Sequence, residues 1–182
     1  MSKLLGNCAN IIDFPALIKR LEKVESPIIT RGDRYCFGIK QVPGSPEDQY
    51  TTGVYNDWLN AGYNMSAANL TLFKCEHFGQ ELEDAVLKIL NIPGPLTRSE
   101  ISCLQPGDMA PWHTDHSPNQ KVIRVHIHVS TPQPGQFLMI GNEVIYNLCQ
   151  GDIVQWNDKM QPHAAVNCSP EPSYLYHIEY HA

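Results

Sequence analysis

The sequence predicts a mainly β protein with N-terminal helices, a small double-sheet barrel carrying a helical layer ahead of it. Three observations predict this. At least six short strand-like runs, bounded by Gly, Pro, Asn or Asp, crowd into the last stretch of about 80 residues. Two amphipathic helical patterns lie upstream of them. The chain carries 14 prolines in 182 residues, above the usual ~5%, which favours turns and short strands over long helices.

The elements follow in chain order. Asp13 caps a helix that tolerates Pro15 in its first turn, and Leu17, Ile18, Leu21 and Val24 form its apolar face. Arg34 to Lys40 has the composition of a short strand, broken by Gln41-Val42-Pro43-Gly44-Ser45-Pro46. Leu82, Val86, Ile89 and Leu90 share the face of a second helix that Asn91 ends. Pro93-Gly94-Pro95 is the best internal boundary. It separates a mixed, partly helical region, residues 1–95, from a strand-rich core, residues 96–182, within one compact domain. In the core, strands are expected at Ile101 to Leu104, Lys121 to Ser130, Phe137 to Ile140, Glu143 to Leu148, Ile153 to Trp156 and Tyr174 to Tyr180. Gly141-Asn142 between two apolar runs signals a tight hairpin.

Composition excludes several classes of function. Hydrophobic residues make up 42% and charged residues 18%, too balanced for a disordered tail, a collagen or a coiled coil. A net charge of −6 gives no general attraction to nucleic acid, and no polybasic run suits a membrane surface. No segment reaches the ~18 apolar residues of a membrane helix, and the start lacks an apolar signal-peptide core. Six scattered cysteines without a CxxC pair read as reduced thiols, so a cytoplasmic protein is expected, with a three-disulfide secreted domain as the weaker alternative.

Seven of the eight histidines lie in the strand-rich half, with His77 outside it. His113-Thr114-Asp115 alone is a common pattern, but its setting adds weight. It follows the Pro106-Gly107 turn, and His163 comes 48 residues later, beyond the strand ending at Trp156 and a turn. Strands distant in sequence pair in a small barrel, so these groups can meet at one mouth. Two imidazoles and a carboxylate on one face of a metal are the ligand set of non-haem Fe(II) oxygenases. Satisfied core or surface histidines are the bland alternative.

The run Val122 to Val129 alternates. Ile123, Val125, Ile127 and Val129 take one face, and Arg124, His126 and His128 the other. If the apolar face packs on the helices, the cationic face looks into the barrel, where an inward Arg requires an anionic partner. A dicarboxylate cosubstrate is such a partner, since guanidinium forks match carboxylates. An outer strand with Arg and His in water is the alternative.

Ser102-Cys103-Leu104-Gln105-Pro106-Gly107, His113-Thr114-Asp115, Arg124-Val125-His126, Gly151 to Asp158 and His163-Ala164-Ala165-Val166-Asn167 together resemble the aspartyl/asparaginyl β-hydroxylase family over residues 97–182. The resemblance implies a double-stranded β-helix (a jelly-roll, cupin-like core) and a dioxygenase using Fe(II), 2-oxoglutarate and O₂. It implies His113, Asp115 and His163 as the catalytic iron ligands. Arg124 and His126 match the strand that holds cosubstrate carboxylate, and Ser102 a serine near the same cosubstrate. One feature departs from the family. Its usual last-strand Arg, about ten residues after the distal His, is missing from Ser173-Tyr174-Leu175-Tyr176-His177. Arg124, Lys121, Tyr174 or His177 must replace that anchor, or the cosubstrate differs.

The leading expectation is therefore a 2-oxoglutarate-dependent hydroxylase acting on an amino-acid or peptide side chain, with no nucleic-acid or membrane partner. A cupin-like metalloenzyme without 2-oxoglutarate and a non-catalytic metal- or small-molecule-binding barrel are the alternatives. Trp112 could shield the metal or pack in the core. Residues 50–72, rich in Tyr, Asn and Thr, are expected at the barrel mouth as substrate contacts.

Overall fold

A computed structural model describes residues 2–25, 28–30, 60, 62, 69–92, 96, 98–113, 122–156 and 161–181. Eleven strands and three helices are described: β1 (Lys3–Asn7), α1 (Phe14–Leu21), β2 (Ile28–Thr30), β3 (Leu70–Lys74), α2 (Cys75–Phe78), α3 (Gln80–Leu90), β4 (Arg98–Leu104), β5 (Met109–His113), β6 (Val122–His128), β7 (Gln136–Ile140), β8 (Glu143–Ile145), β9 (Asp152–Trp156), β10 (His163–Asn167) and β11 (Ser173–His181). They form two antiparallel sheets. One runs β1-β9-β6-β11-β4-β3-β2 and the other β5-β10-β7-β8. From β4 onward the chain passes back and forth between them. β4, β6, β9 and β11 join the large sheet, and β5, β7, β8 and β10 the small one. That interleaving makes the core a double-stranded β-helix.

Local chemistry accounts for the elements. Asp13 caps α1 by accepting from the Ala16 amide at 3.0 Å, with Pro15 in the first turn where no amide is needed. Asn91 ends α3 in the left-handed region at φ 52°. Gly141 (φ 57°) and Asn142 turn the hairpin between β7 and β8. Gly151 combines a positive φ of 84° with crowding: a Cβ there would lie 2.6 Å from the Ala9 amide nitrogen, so the turn into β9 docks against the loop after β1.

Strand alternation then places the core. Val125, Ile127 and Val129, with Ile101, Cys103, Tyr174, Tyr176 and Ile178, face Phe14, Leu17 and Leu21 of α1 and Leu82 and Val86 of α3. Each such burial contributes about 1.5–3 kcal/mol. Phe78 meets Tyr176 edge-on at 5.4 Å between ring centres. The expected packing of both helical faces on the β6 stripe is observed.

The structure differs from the sequence reading in four places. Residues 109–113, where no strand was expected between the Pro106-Gly107 turn and His113, are a strand that pairs with β10. The first part of the chain, read as mixed, contributes β1, β2 and β3 to the large sheet, at positions where no strand was expected. β8 stops at Ile145, before Asn147 takes φ 42°. β11 runs on to His181, in register with Val122, one residue past the expected strand end at Tyr180. Arg34 to Lys40, the Pro93-Gly94-Pro95 boundary and most of residues 50–72 lie outside the described residues. The last part of that stretch is β3. Among the described residues, no helix is long and apolar enough to cross a membrane, and the five cysteines are free thiols.

Candidate active site

His113 ends β5 and His163 begins β10, and antiparallel pairing sets them directly opposite one another. Both are buried, with ring centres 4.2 Å apart. His113 Nδ1 lies 2.6 Å from the carbonyl oxygen of Pro111, and His163 Nδ1 lies 3.2 Å from that of Gln161. A carbonyl can only accept, so each Nδ1 donates. In the neutral imidazole this leaves the lone pair on Nε2. Backbone carbonyls that fix the tautomer in this way are the usual support of metal-binding histidines. The donor set therefore fits a divalent transition metal. Asp115 lies outside the described residues, among which no third metal-binding side chain completes the pair.

The opposite wall is the inner face of the large sheet. Arg124, His126 and His128 project from β6 into a cavity of about 650 Å³ that His113, His163, Ser102 and His177 also line. Arg124 and His126 are buried, so the inward reading of the strand holds. Trp156 of β9 links the two walls. Its ring centre lies 4.7 Å from that of His163 and 5.5 Å from that of His126, with the Arg124 guanidinium 5.0 Å from its centre.

Two polar chains run across this face. In the first, Ser102 Oγ meets His177 Nε2 at 2.5 Å, and His177 Nδ1 meets His126 Nε2 at 3.0 Å. His126 is driven well below the ordinary histidine pKa by burial first, then by His177, His163 and the nearby guanidinium groups, so it is neutral. Its Nδ1 is buried without a hydrogen-bond partner among the described residues. In the second chain charges alternate. Arg124 Nε donates to Glu179 at 2.7 Å, Arg98 reaches both Glu179 and Glu100, and Lys74 pairs with Glu100.

Sequence reasoning missed Glu179 and Arg98. The signal was present in β11, where His177 and Glu179 alternate with Tyr176, Ile178 and Tyr180, but the pairing of Glu179 with Arg124 depends on strand register. The anionic partner that an inward Arg124 requires is thus supplied at least in part by the chain. Tyr174 does not replace the missing last-strand Arg, because it faces the helices and packs against Phe73. Lys121 lies outside the described residues. Trp112 lies on β5, partly buried.

No family profile matches the chain, and no curated protein matches it. Among solved structures it is similar to a viral collagen prolyl hydroxylase from Paramecium bursaria Chlorella virus-1 in a 2OG complex, at 11% identity over 72% of this chain and 88% of that one, TM-score 0.48. A prolyl hydroxylase from Trichoplax adhaerens, bound to a hypoxia inducible factor peptide fragment, is 16% identical over 96% of each chain, TM-score 0.47. A cupin domain from Bordetella pertussis is 18% identical over 50% of this chain and 88% of that one, TM-score 0.38.

Proposed function

We propose that the chain is a 2-oxoglutarate- and Fe(II)-dependent dioxygenase that hydroxylates an amino-acid or peptide side chain, with succinate and CO₂ as coproducts. The observation that carries this reading is the buried His113–His163 pair, each Nδ1 tied to a backbone carbonyl, across a cavity from a strand bearing Arg124 and His126. The resemblance of residues 97–182 to the aspartyl/asparaginyl β-hydroxylases belongs to the same reading. His113, Asp115 and His163 would hold the metal; Arg124, His126 and Ser102 would hold the cosubstrate. Bound iron with 2-oxoglutarate and O₂ supplies the oxidising chemistry. The protein's own contributions are orientation and dryness. The two carbonyls orient both imidazoles through Nδ1, Trp156 packs edge-on against His163, and neutral His126 offers hydrogen bonding without repelling a cation.

The Arg124–Glu179 ion pair favours a second reading. A guanidinium already facing a carboxylate of the chain has less need of a cosubstrate carboxylate, which suits a cupin-like metalloenzyme that acts without 2-oxoglutarate. One experiment separates the two. Iron-loaded protein is incubated with 2-oxoglutarate under air while succinate and O₂ are followed. Succinate formed with O₂ uptake, and lost in His163→Ala, supports the dioxygenase. O₂ uptake without succinate overturns it in favour of the second reading, and neither signal leaves a binding barrel.

A further inference from the structure

His128 stands out on the cavity wall because neither polar chain uses it. It follows Arg124 and His126 on the inward face of β6, one pleat beyond His126 or about 7 Å along the strand. Its Nε2 is buried without a hydrogen-bond partner among the described residues. Register places Leu175 of β11 beside it and Ser102 of β4 beyond Leu175, and all three line the cavity. The metal-binding pair lies toward the Trp156 end of this wall, so His128 marks the far end of a ligand that begins there.

Among the described residues, the groups expected to anchor a far carboxylate are engaged elsewhere or face elsewhere. Both ring nitrogens of His177 are committed, to His126 and to Ser102. Arg124 sits at the metal end with Glu179, and Tyr174 faces the helices. A five-carbon dicarboxylate has four C–C bonds of about 1.5 Å, spanning about 5 Å between its terminal carbons. That length suits the single pleat from His126 to His128.

We infer that His128 anchors the distal carboxylate of a 2-oxo dicarboxylate, through Nε2, taking up one proton as the ligand binds. The inference rests on the dioxygenase reading above. The surroundings of His128 explain the proton. Asp152 on β9 is the carboxylate whose charge acts on it, and that group already accepts from Asn7 and from the Cys149 amide. His126 on its own strand and His177 on β11 are the neighbouring imidazoles. The facing small sheet presents apolar Leu138, Ile145 and Ala165 to the cavity. Burial dominates, pushing His128 down to about 4, so it is neutral until an anion arrives. A carboxylate against Nε2 then favours the imidazolium. A last-strand arginine would hold the same carboxylate with permanent charge; a histidine makes the grip depend on pH.

The test is calorimetric titration of the full-length, Mn(II)-loaded chain with 2-oxoglutarate between pH 6 and 8, in buffers of different ionisation enthalpy. 2-Oxobutanoate, which keeps the 2-oxo acid end and lacks the distal carboxylate, is the control. Expected are uptake of close to one proton with 2-oxoglutarate, affinity rising up to about tenfold per pH unit on acidification, and neither effect with 2-oxobutanoate. His128→Asn should weaken 2-oxoglutarate at least tenfold and leave 2-oxobutanoate unchanged, whereas His128→Arg should restore affinity and remove the pH dependence. Tight, pH-independent binding of 2-oxoglutarate to the unaltered chain without proton uptake overturns the inference, whatever the variants do, and leaves the dioxygenase reading intact. Failure of both acids to bind the metal-loaded chain overturns both.

Discussion

Glu100→Gln should destabilise the native state by about 3 kcal/mol at pH 7, and the deficit should shrink in acid. Glu100 is completely buried on β4, where burial alone would push its carboxyl upward. The charges of Arg98 and Lys74 outweigh burial and hold it at about 2, against an ordinary 4.5. A drop from 4.5 to about 2, at about 1.4 kcal/mol per pH unit, amounts to about 3 kcal/mol. The ~3–5 kcal/mol typical of breaking one side of a buried ion pair agrees. Between pH 4.5 and 2 the unfolded chain binds a proton at this site and the native chain refuses it. The contribution is therefore complete above pH 4.5 and lost as pH falls to about 2. Gln cannot titrate, so the variant lacks this acid limb and the two stability curves converge. Urea denaturation at pH 7 and near pH 3 measures both quantities. At roughly 2–4 °C per kcal/mol for a chain of this size, Tm should fall by about 6–12 °C. Equal stability at pH 7, or a deficit of the same size near pH 3, would refute the charge account of this buried site. The consequence reaches the cavity, because Arg98 joins Glu100 to Glu179, the partner of Arg124.

His163→Ala should abolish stoichiometric metal binding while leaving the far-ultraviolet circular dichroism unchanged; metal analysis after gel filtration decides it. Arg124→Lys keeps the charge but loses the planar fork, so metal content should stay near normal while the 2-oxoglutarate concentration for half-maximal succinate formation rises several-fold. In the ligand-free chain His128 titrates at about 4, whereas its ordinary value is 6.5. The unfolded chain therefore gains a proton first as pH falls, and stability should decline from about pH 6.5 down to about 4. His128→Asn should remove that part of the decline, as seen by denaturation across the same range.

Much of this protein was determined locally and could be read from its sequence. The Asp13 cap, the Asn91 stop, the Gly141-Asn142 hairpin and the two-residue period of residues 122–129 each depend on neighbours a few positions away, and each is found as expected. Alternation alone told which side of β6 faces the helices, because a buried stripe of Ile and Val has one favourable partner. The separation of His113 from His163 also suggested a meeting at one mouth. Only the tertiary structure decided which groups touch there. Residues 109–113 carry no strong strand signal and become a strand because β10 offers them a partner. Glu179 meets Arg124, and His177 is spent on His126 and Ser102, because β11 sits between β6 and β4 in one register. A shift of one residue would have turned His177 and Glu179 toward the helices. Pairing over such sequence distances is set by the summed burial of whole strands, so no short motif records it.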